Sequence, residues 1–399
     1  MVITMSETFK TQQDERITRL SVFLDKYLVT NDKVSLYREF EETLKTVQPL
    51  DLFYLPFFSD DSRLSLEEIK SYANRFVNLF YHGLVSFQWD KKISPMLEKF
   101  VEENQAILAE LDGIKPYFEN DKIEESVPMI LTFFEKIEVI EKKFQKSQMM
   151  LYPALEKKLP SKKPFQVLWA VEDDILEERK TVITRLKQDP INWAETKIAI
   201  AQFYYQLAGL IQKENIIVLP LASIYLTAKD WEKMIDSAFE IGYAFTHPLK
   251  VINQTTHPEM KLSDLMITTD SGVLSVEQFN LVMSHLPIAI TYVDEFDIVR
   301  YYNQTSERHF PRTPQAIGRE VKYCHPEKSV HIVEKILAEF KANRQSVAQF
   351  WMDFRGKKLL ISYYAVRNDS SDYKGVIEVT QDISGMNEFQ GEKRLLNWE

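Results

Sequence analysis

Residues 286–304 read LPIAITYVDEFDIVRYYNQ, and this stretch decides how the last third of the chain folds. Apolar and polar side chains alternate through Ala289–Asp294 and again through Ile298–Asn303, the period of a half-buried strand. Glu295, Phe296 and Asp297 supply a tight turn between them. Outward from there, Val347–Phe354, Lys358–Val366 and Gly375–Thr380 repeat the period of two, with Arg355-Gly356 and Asn368–Tyr373 as hairpin connections. A helical stretch between the second and third strands ends in a helix over Ser329–Ala342. The order of two strands, helices and three strands predicts a five-stranded antiparallel sheet with helices across one face, an α+β unit.

Upstream of Thr246 the period changes to that of a helix. Short amphipathic helices fit Arg16–Tyr27, Val34–Val47 and Ser65–Leu84, the third opened by the capping box Ser65-Leu-Glu-Glu68. Longer ones fit Met96–Leu111, Glu124–Lys157, Phe165–Lys187, Trp193–Lys213 and Lys229–Phe245, punctuated by Pro95, Pro153, Pro160, Pro190 and Pro220. Six of the ten glycines follow position 271, so the first two thirds of the chain is poor in the residue that tight turns need. The expected organisation is an all-α module at 1–88, an all-α bundle at 89–245, a linker at 246–276, the α+β unit at 277–386 and a tail helix at 387–399.

Composition excludes several functions. Hydrophobic residues at 45% are enough for packed cores, and a net charge of −10 argues against nucleic acid. Cys324 is the single cysteine, so neither a disulfide nor a cysteine-rich zinc site forms within the chain. The polar N-terminus lacks the apolar run of a secretory signal, and Ile198–Ile211 is too short to span a bilayer. A soluble cytoplasmic protein without membrane contact is expected. No nucleophile elbow, P-loop, dinucleotide fingerprint or kinase signature is present, so no enzyme is expected.

On these residues a resemblance becomes specific. Leu286–Ser384 resembles a PAS domain, and its closing Asp382-Ile383-Ser384 is similar to the end of that family's last strand. FPRTPQAIGREVKYCHPEKSVHIVEKI, Phe310–Ile336, resembles the PAS subtype of domain of unknown function 438 proteins. The resemblance implies that 1–88 is that family's N-terminal module and that 89–245 is a hemerythrin-like bundle. Such a bundle implies a di-iron centre held by histidines and carboxylates. All seven histidines (82, 247, 257, 285, 309, 325 and 331) lie outside 83–246. At the positions where the family carries ligands this chain has Ser94, Lys143, Gln148 and Glu172, with Asp173 and Glu214 as further acids. A degenerate site that binds no metal is expected. The acids are read as lying on solvated helix faces, or alternatively as a carboxylate site for a hard cation.

Within the PAS-like segment, Ala348, Phe350, Met352 and Phe354 share one face of a strand. Leu359, Ile361, Tyr363 and Ala365 share a face of the next, and Ile377 and Val379 a face of the last. These either line an apolar pocket or fill it. Cys324, His325 and His331 stand at the start of the crossing helix, where PAS domains of other subfamilies take an axial haem histidine. Cofactor-contacting residues, if the pocket is open, are therefore His331, His325, Cys324, Phe350, Met352 and Tyr363. No cofactor is predicted, with haem or another small PAS ligand as the alternative. No output module is expected after the PAS-like segment, so any signal is expected to pass through a protein partner or through a rearrangement of that segment against the bundle. The reading is a non-enzymatic sensory or regulatory protein, homodimeric through the helix Val276–His285 and the tail. The alternatives are a metal- or oxygen-handling protein and a structural adaptor.

Overall fold

The structure, a computed structural model, describes residues 5–60, 62, 64–118, 123–249, 265–269, 271–388 and 391. The chain divides into two compact units, Met1–Lys250 and Val251–Glu399.

The first unit is all helix: α1 Met5–Val29, α2 Lys33–Lys45, α3 Leu66–Leu79, α4 Tyr81–Ser86, α5 Pro95–Phe118, α6 Val127–Lys136, α7 Ile140–Lys146, α8 Tyr152–Glu156, α9 Lys163–Leu186, α10 Trp193–Lys213, α11 Leu219–Tyr225 and α12 Ala228–Ile241. Side-chain oxygens close the starts. Asp32, Ser65, Asn192 and Thr227 each accept the amide three residues on, meeting donors that have no partner inside the helix. One hydrophobic core runs from Leu20 to Tyr243. The expected module 1–88 therefore shares its interior with 89–245, as where Phe53 meets Phe165 with ring centroids 5.2 Å apart. Gly83 shows how tight the packing is: a Cβ there would lie 2.7 Å from the backbone nitrogen of Val47.

Two π-helical turns interrupt the long helices, Ser147–Leu151 between α7 and α8 and Glu214–Val218 between α10 and α11. Each ends two residues before a proline, Pro153 or Pro220. Proline has no amide hydrogen and its ring crowds the preceding turn, so the wider turn lets the chain stay helical. The run expected as one helix over Glu124–Lys157 is thus several segments, and α10 continues through its π turn to Tyr225. That run, Trp193–Tyr225, is long and apolar enough to cross a membrane, but 67% of its most apolar window is buried inside the unit, as in a core helix.

The second unit opens with a hairpin, β1 Met266–Thr269 and β2 Gly272–Ser275, inside the segment expected to be linker. The rest of that segment from Lys250 to Asp264 lies outside the described residues. Next come α13 Val276–His285, β3 Ala289–Asp294, β4 Val299–Tyr302, α14 Glu327–Lys341, β5 Val347–Phe354, β6 Lys357–Arg367 and β7 Tyr373–Asp382. The five long strands form one antiparallel sheet in the order β4-β3-β7-β6-β5, as the alternation predicts. Val293, Val299, Val333, Leu337, Phe340 and Val376 are core residues between sheet and α14. Beyond the short turn Ser384–Glu388, the expected tail helix lies outside the described residues except for position 391.

Asn303 ties the sheet to α13. Its amide nitrogen donates to the carbonyls of Met283 and Ile288 at 2.9 Å each, and its Oδ1 accepts from the Ile290 amide at 2.7 Å. At the other end of β3, Gly375 sits at φ 133°, where a Cβ would lie 2.1 Å from the Val293 carbonyl oxygen. Gly375→Ala must push β7 off β3 and should cost the second unit about 3 kcal/mol or more. Denaturation of the full chain should then show the second unit melting earlier while the helical unit's transition stays in place.

Candidate functional site

In the helical unit the π turns rotate polar side chains into the interior. Lys143, Ser147 and Glu214 are fully buried, as is Glu172, and Gln148 is 7% exposed. The Lys143 ammonium donates to both Glu214 oxygens at 2.7 Å and to Ser147 Oγ at 3.1 Å. Gln148 Nε2 donates to Glu172 Oε2 at 2.8 Å, and the Tyr152 hydroxyl lies 2.7 Å from Glu172 Oε1 and 3.4 Å from Glu214 Oε1. Three of the four positions that the resemblance marks, Lys143, Gln148 and Glu172, therefore meet in one network with Glu214. Ser94 takes another role: its hydroxyl accepts the Met96 amide at the start of α5.

The expectation that the acids lie on solvated faces is corrected for Glu172 and Glu214. Both sit in the dry core, which they tolerate because every carboxylate oxygen has a donor. Burial, reinforced by the neighbouring Glu214 charge, drives the Glu172 carboxyl well above the usual carboxylate range. Glu214 is matched by Lys143. Glu172 has no such cation paired with it, and burial favours its protonated form. Asp173 beside it is only half-buried.

The di-iron centre that the resemblance implies does not fit this donor set. A protonated amine occupies both oxygens of Glu214 and would repel a cation, and the segment supplies no imidazole. Among the described residues no group of three or more His, Cys, Asp or Glu side chains is placed to hold a metal. A second buried pair, Lys146 with Glu103 at 2.9 Å, stands one turn away. Burial lowers Lys146 to about 8, against the pull of Glu103.

In the second unit the sheet presents one polar row. Register sets Thr291, Glu378, Tyr363 and Ala348 side by side across β3, β7, β6 and β5, and Thr291, Glu378 and Tyr363 are buried. The buried face of β7 is Val376, Glu378 and Thr380, so Ile377 and Val379, expected to line the interior, point the other way and are half-buried. Arg312 approaches the row with 7% of its side chain exposed, its Nη2 3.6 Å from Glu378 Oε2. Its Nε and that of Arg308 are buried with no hydrogen-bond partner among the described residues, and so is His325 Nε2. Burial takes His325 down to about 4, so its ring is neutral at pH 7, and burial with the Arg312 charge takes Arg308 down to about 10. Burial raises the Tyr363 hydroxyl. Arg312 thus pairs with the one carboxylate, while Arg308 donates through Nη2 to the carbonyls of Ile290 and Asn303 at 3.0 and 2.9 Å and to Asn303 Oδ1 at 3.1 Å.

The other residues expected to touch a cofactor divide. Cys324 is 6% exposed and belongs to the core, its Sγ 3.8 Å from the Glu320 carbonyl oxygen. His331 is exposed on α14, which turns it away from the interior where a haem ligand would stand. Phe350 and Met352 are 38% and 40% exposed on β5, an edge strand with no neighbour on its outer side. The residues that sequence reasoning missed are Arg308, Arg312 and Glu378. Their signal was an acidic residue at a buried position of an alternating strand, with two arginines in the loop that follows β4.

Two measurements test the helical network. Lys143→Met leaves the Glu214 charge buried and unpaired and should cost about 3–5 kcal/mol in denaturant unfolding, most of it recovered by adding Glu214→Leu. Glu172 holds a proton in the folded state that the unfolded chain loses above about pH 4.3. Native stability should therefore fall as pH rises from there until Glu172 ionises. Glu172→Gln should flatten that part of the denaturation midpoint's pH dependence.

Comparison with known proteins places the second unit. The sequence profile of the PAS domain family matches residues 279–384. The chain is similar to a solved C-terminal domain from Streptococcus mutans, 36% identical over 32% of this chain and 99% of that one, with a TM-score of 0.31. It is also similar to the PAS domain of a Colwellia psychrerythraea protein, 17% identical over 27% of this chain and 97% of that one, TM-score 0.22. A sensory box sensor histidine kinase structure from Vibrio cholerae is 10% identical over 27% of this chain and 89% of that one, TM-score 0.22. No curated protein matches the chain. The profile match and the sheet topology together identify residues 279–384 as a PAS domain.

Proposed function

We propose that this is a non-enzymatic sensory or regulatory protein of the cytoplasm whose PAS domain takes a small anionic metabolite, a carboxylate or a phosphate. The observation that carries the reading is Arg312, its side chain 7% exposed and 3.6 Å from Glu378, with a buried Nε that, like that of Arg308, has no hydrogen-bond partner among the described residues. A buried guanidinium is costly unless its fork is matched, and planar carboxylates and phosphates match it in pairs. Neutral His325 and the Tyr363 hydroxyl add donors suited to the remaining oxygens of such a ligand. Haem is disfavoured because His331 faces solvent.

The helical unit is, in this reading, a hemerythrin-like bundle in which a lysine has taken the place of metal. The Lys143–Glu214 pair at the resembling positions supports it. The unit then serves as scaffold or output surface for a partner protein. A second copy of the chain is the simplest partner for α13, where Leu281 and Val282 are 53% and 52% exposed.

The test is native mass spectrometry of the purified full chain, followed by titration with succinate and with inorganic phosphate. A co-purifying anion, or saturable binding of either probe that Arg312→Gln weakens by about tenfold or more, is expected. Absence of both, with Arg312→Gln as stable as the parent, would overturn the anion reading.

A further inference from the structure

The helical unit contains a buried lysine that the network above does not use. Lys213 is 9% exposed. Unlike Lys143 and Lys146, it has no carboxylate within salt-bridge distance among the described residues. Its ammonium donates to the Gly209 carbonyl, one turn back, at 3.1 Å. The neighbourhood is apolar. Lys213 lines a cavity of about 50 Å³ with Leu52, Phe58, Ala73, Val77, Leu168 and Ile217 among its walls.

An amine walled by hydrocarbon and denied a counter-charge favours its neutral, nucleophilic form. Burial alone lowers Lys213 to about 8. The cavity bounds what can reach it. A dry cavity of about 150 Å³ takes a benzene ring, so one a third that size takes about two or three heavy atoms. The other walls carry no charged side chain, so a neutral guest is accepted more readily than an ionised one.

We propose that Lys213 is a reactive amine that takes a short aliphatic aldehyde into this cavity and holds it as an imine. The Nζ lone pair forms a bond to the carbonyl carbon, and the carbonyl oxygen takes a proton released from nitrogen. The hydroxyl then leaves as water with the second nitrogen proton, giving one imine and one water with no change of oxidation state. The proposal concerns the helical unit and stands whether or not the PAS domain binds an anion.

The experiment treats the full chain with acetaldehyde and cyanoborohydride at pH 7 and locates ethylated lysines by peptide mass mapping. Lys213 should be modified at least about tenfold faster than exposed Lys180, because far more of it is unprotonated at that pH. Benzaldehyde, too large for the cavity, should modify Lys180 and spare Lys213. Val77→Ile, which narrows the cavity by one methylene, should slow the Lys213 adduct and leave Lys180 unaffected. Modification of Lys213 no faster than Lys180, or equal reaction of Lys213 with both aldehydes, would overturn the proposal, and neither result needs a variant to fold.

Discussion

An ammonium group sealed among helices must be matched by charge or lose its proton, and much of the helical unit's interior follows from that constraint. Lys143 satisfies it through both oxygens of Glu214, with Ser147 as a third acceptor. The pairing fixes the rest of the network. Lys143 is taken up by Glu214, so burial favours the protonated form of Glu172 nearby, and Tyr152 and Gln148 supply its hydrogen bonds. The two π turns are the backbone side of the same arrangement. They carry Ser147, Gln148 and Glu214 into the core and accommodate the prolines that follow. A buried pair of this kind adds little net stability but makes any alternative packing that separates its members expensive.

The PAS domain answers the same constraint less completely. Its sheet buries Glu378 between Thr291 and Tyr363, and the loop that follows β4 brings Arg312 against that carboxylate and Arg308 against the carbonyls of Ile290 and Asn303. The result is an interior with more cation than anion and with guanidinium and imidazole nitrogens still to be matched. The Lys143–Glu214 network closes with its own side chains, whereas the polar row of the sheet leaves nitrogen donors over.

The strands and the capping box at Ser65 were legible because both depend on local spacing. Alternation through 289–302 and 347–380 can be satisfied only by strands, and Ser65 with Glu68 closes a helix start wherever that helix packs. The β1–β2 hairpin was missed because the described residues Met266–Thr269 and Gly272–Leu274 are all exposed, leaving no hydrophobic alternation to read. The π turns were invisible because the helical period is preserved on either side of them. The face of β7 was misassigned because Ile377 and Val379 are the more apolar pair, whereas the register with β6 buries Glu378 and Thr380.

The sequence by itself determined the element types, the α+β character of the last third and the absence of histidine from the helical interior. These follow from periodicity and composition, which need no partner in space. Only the tertiary structure decided which charges meet. Lys143 and Glu214 stand 71 residues apart, and Arg312 and Glu378 come from a turn and a strand that touch only once the sheet is assembled. An isolated acid or lysine reads as a solvated surface group. Its chemistry changes when packing removes water and leaves it one neighbour, and that neighbour is a property of the fold.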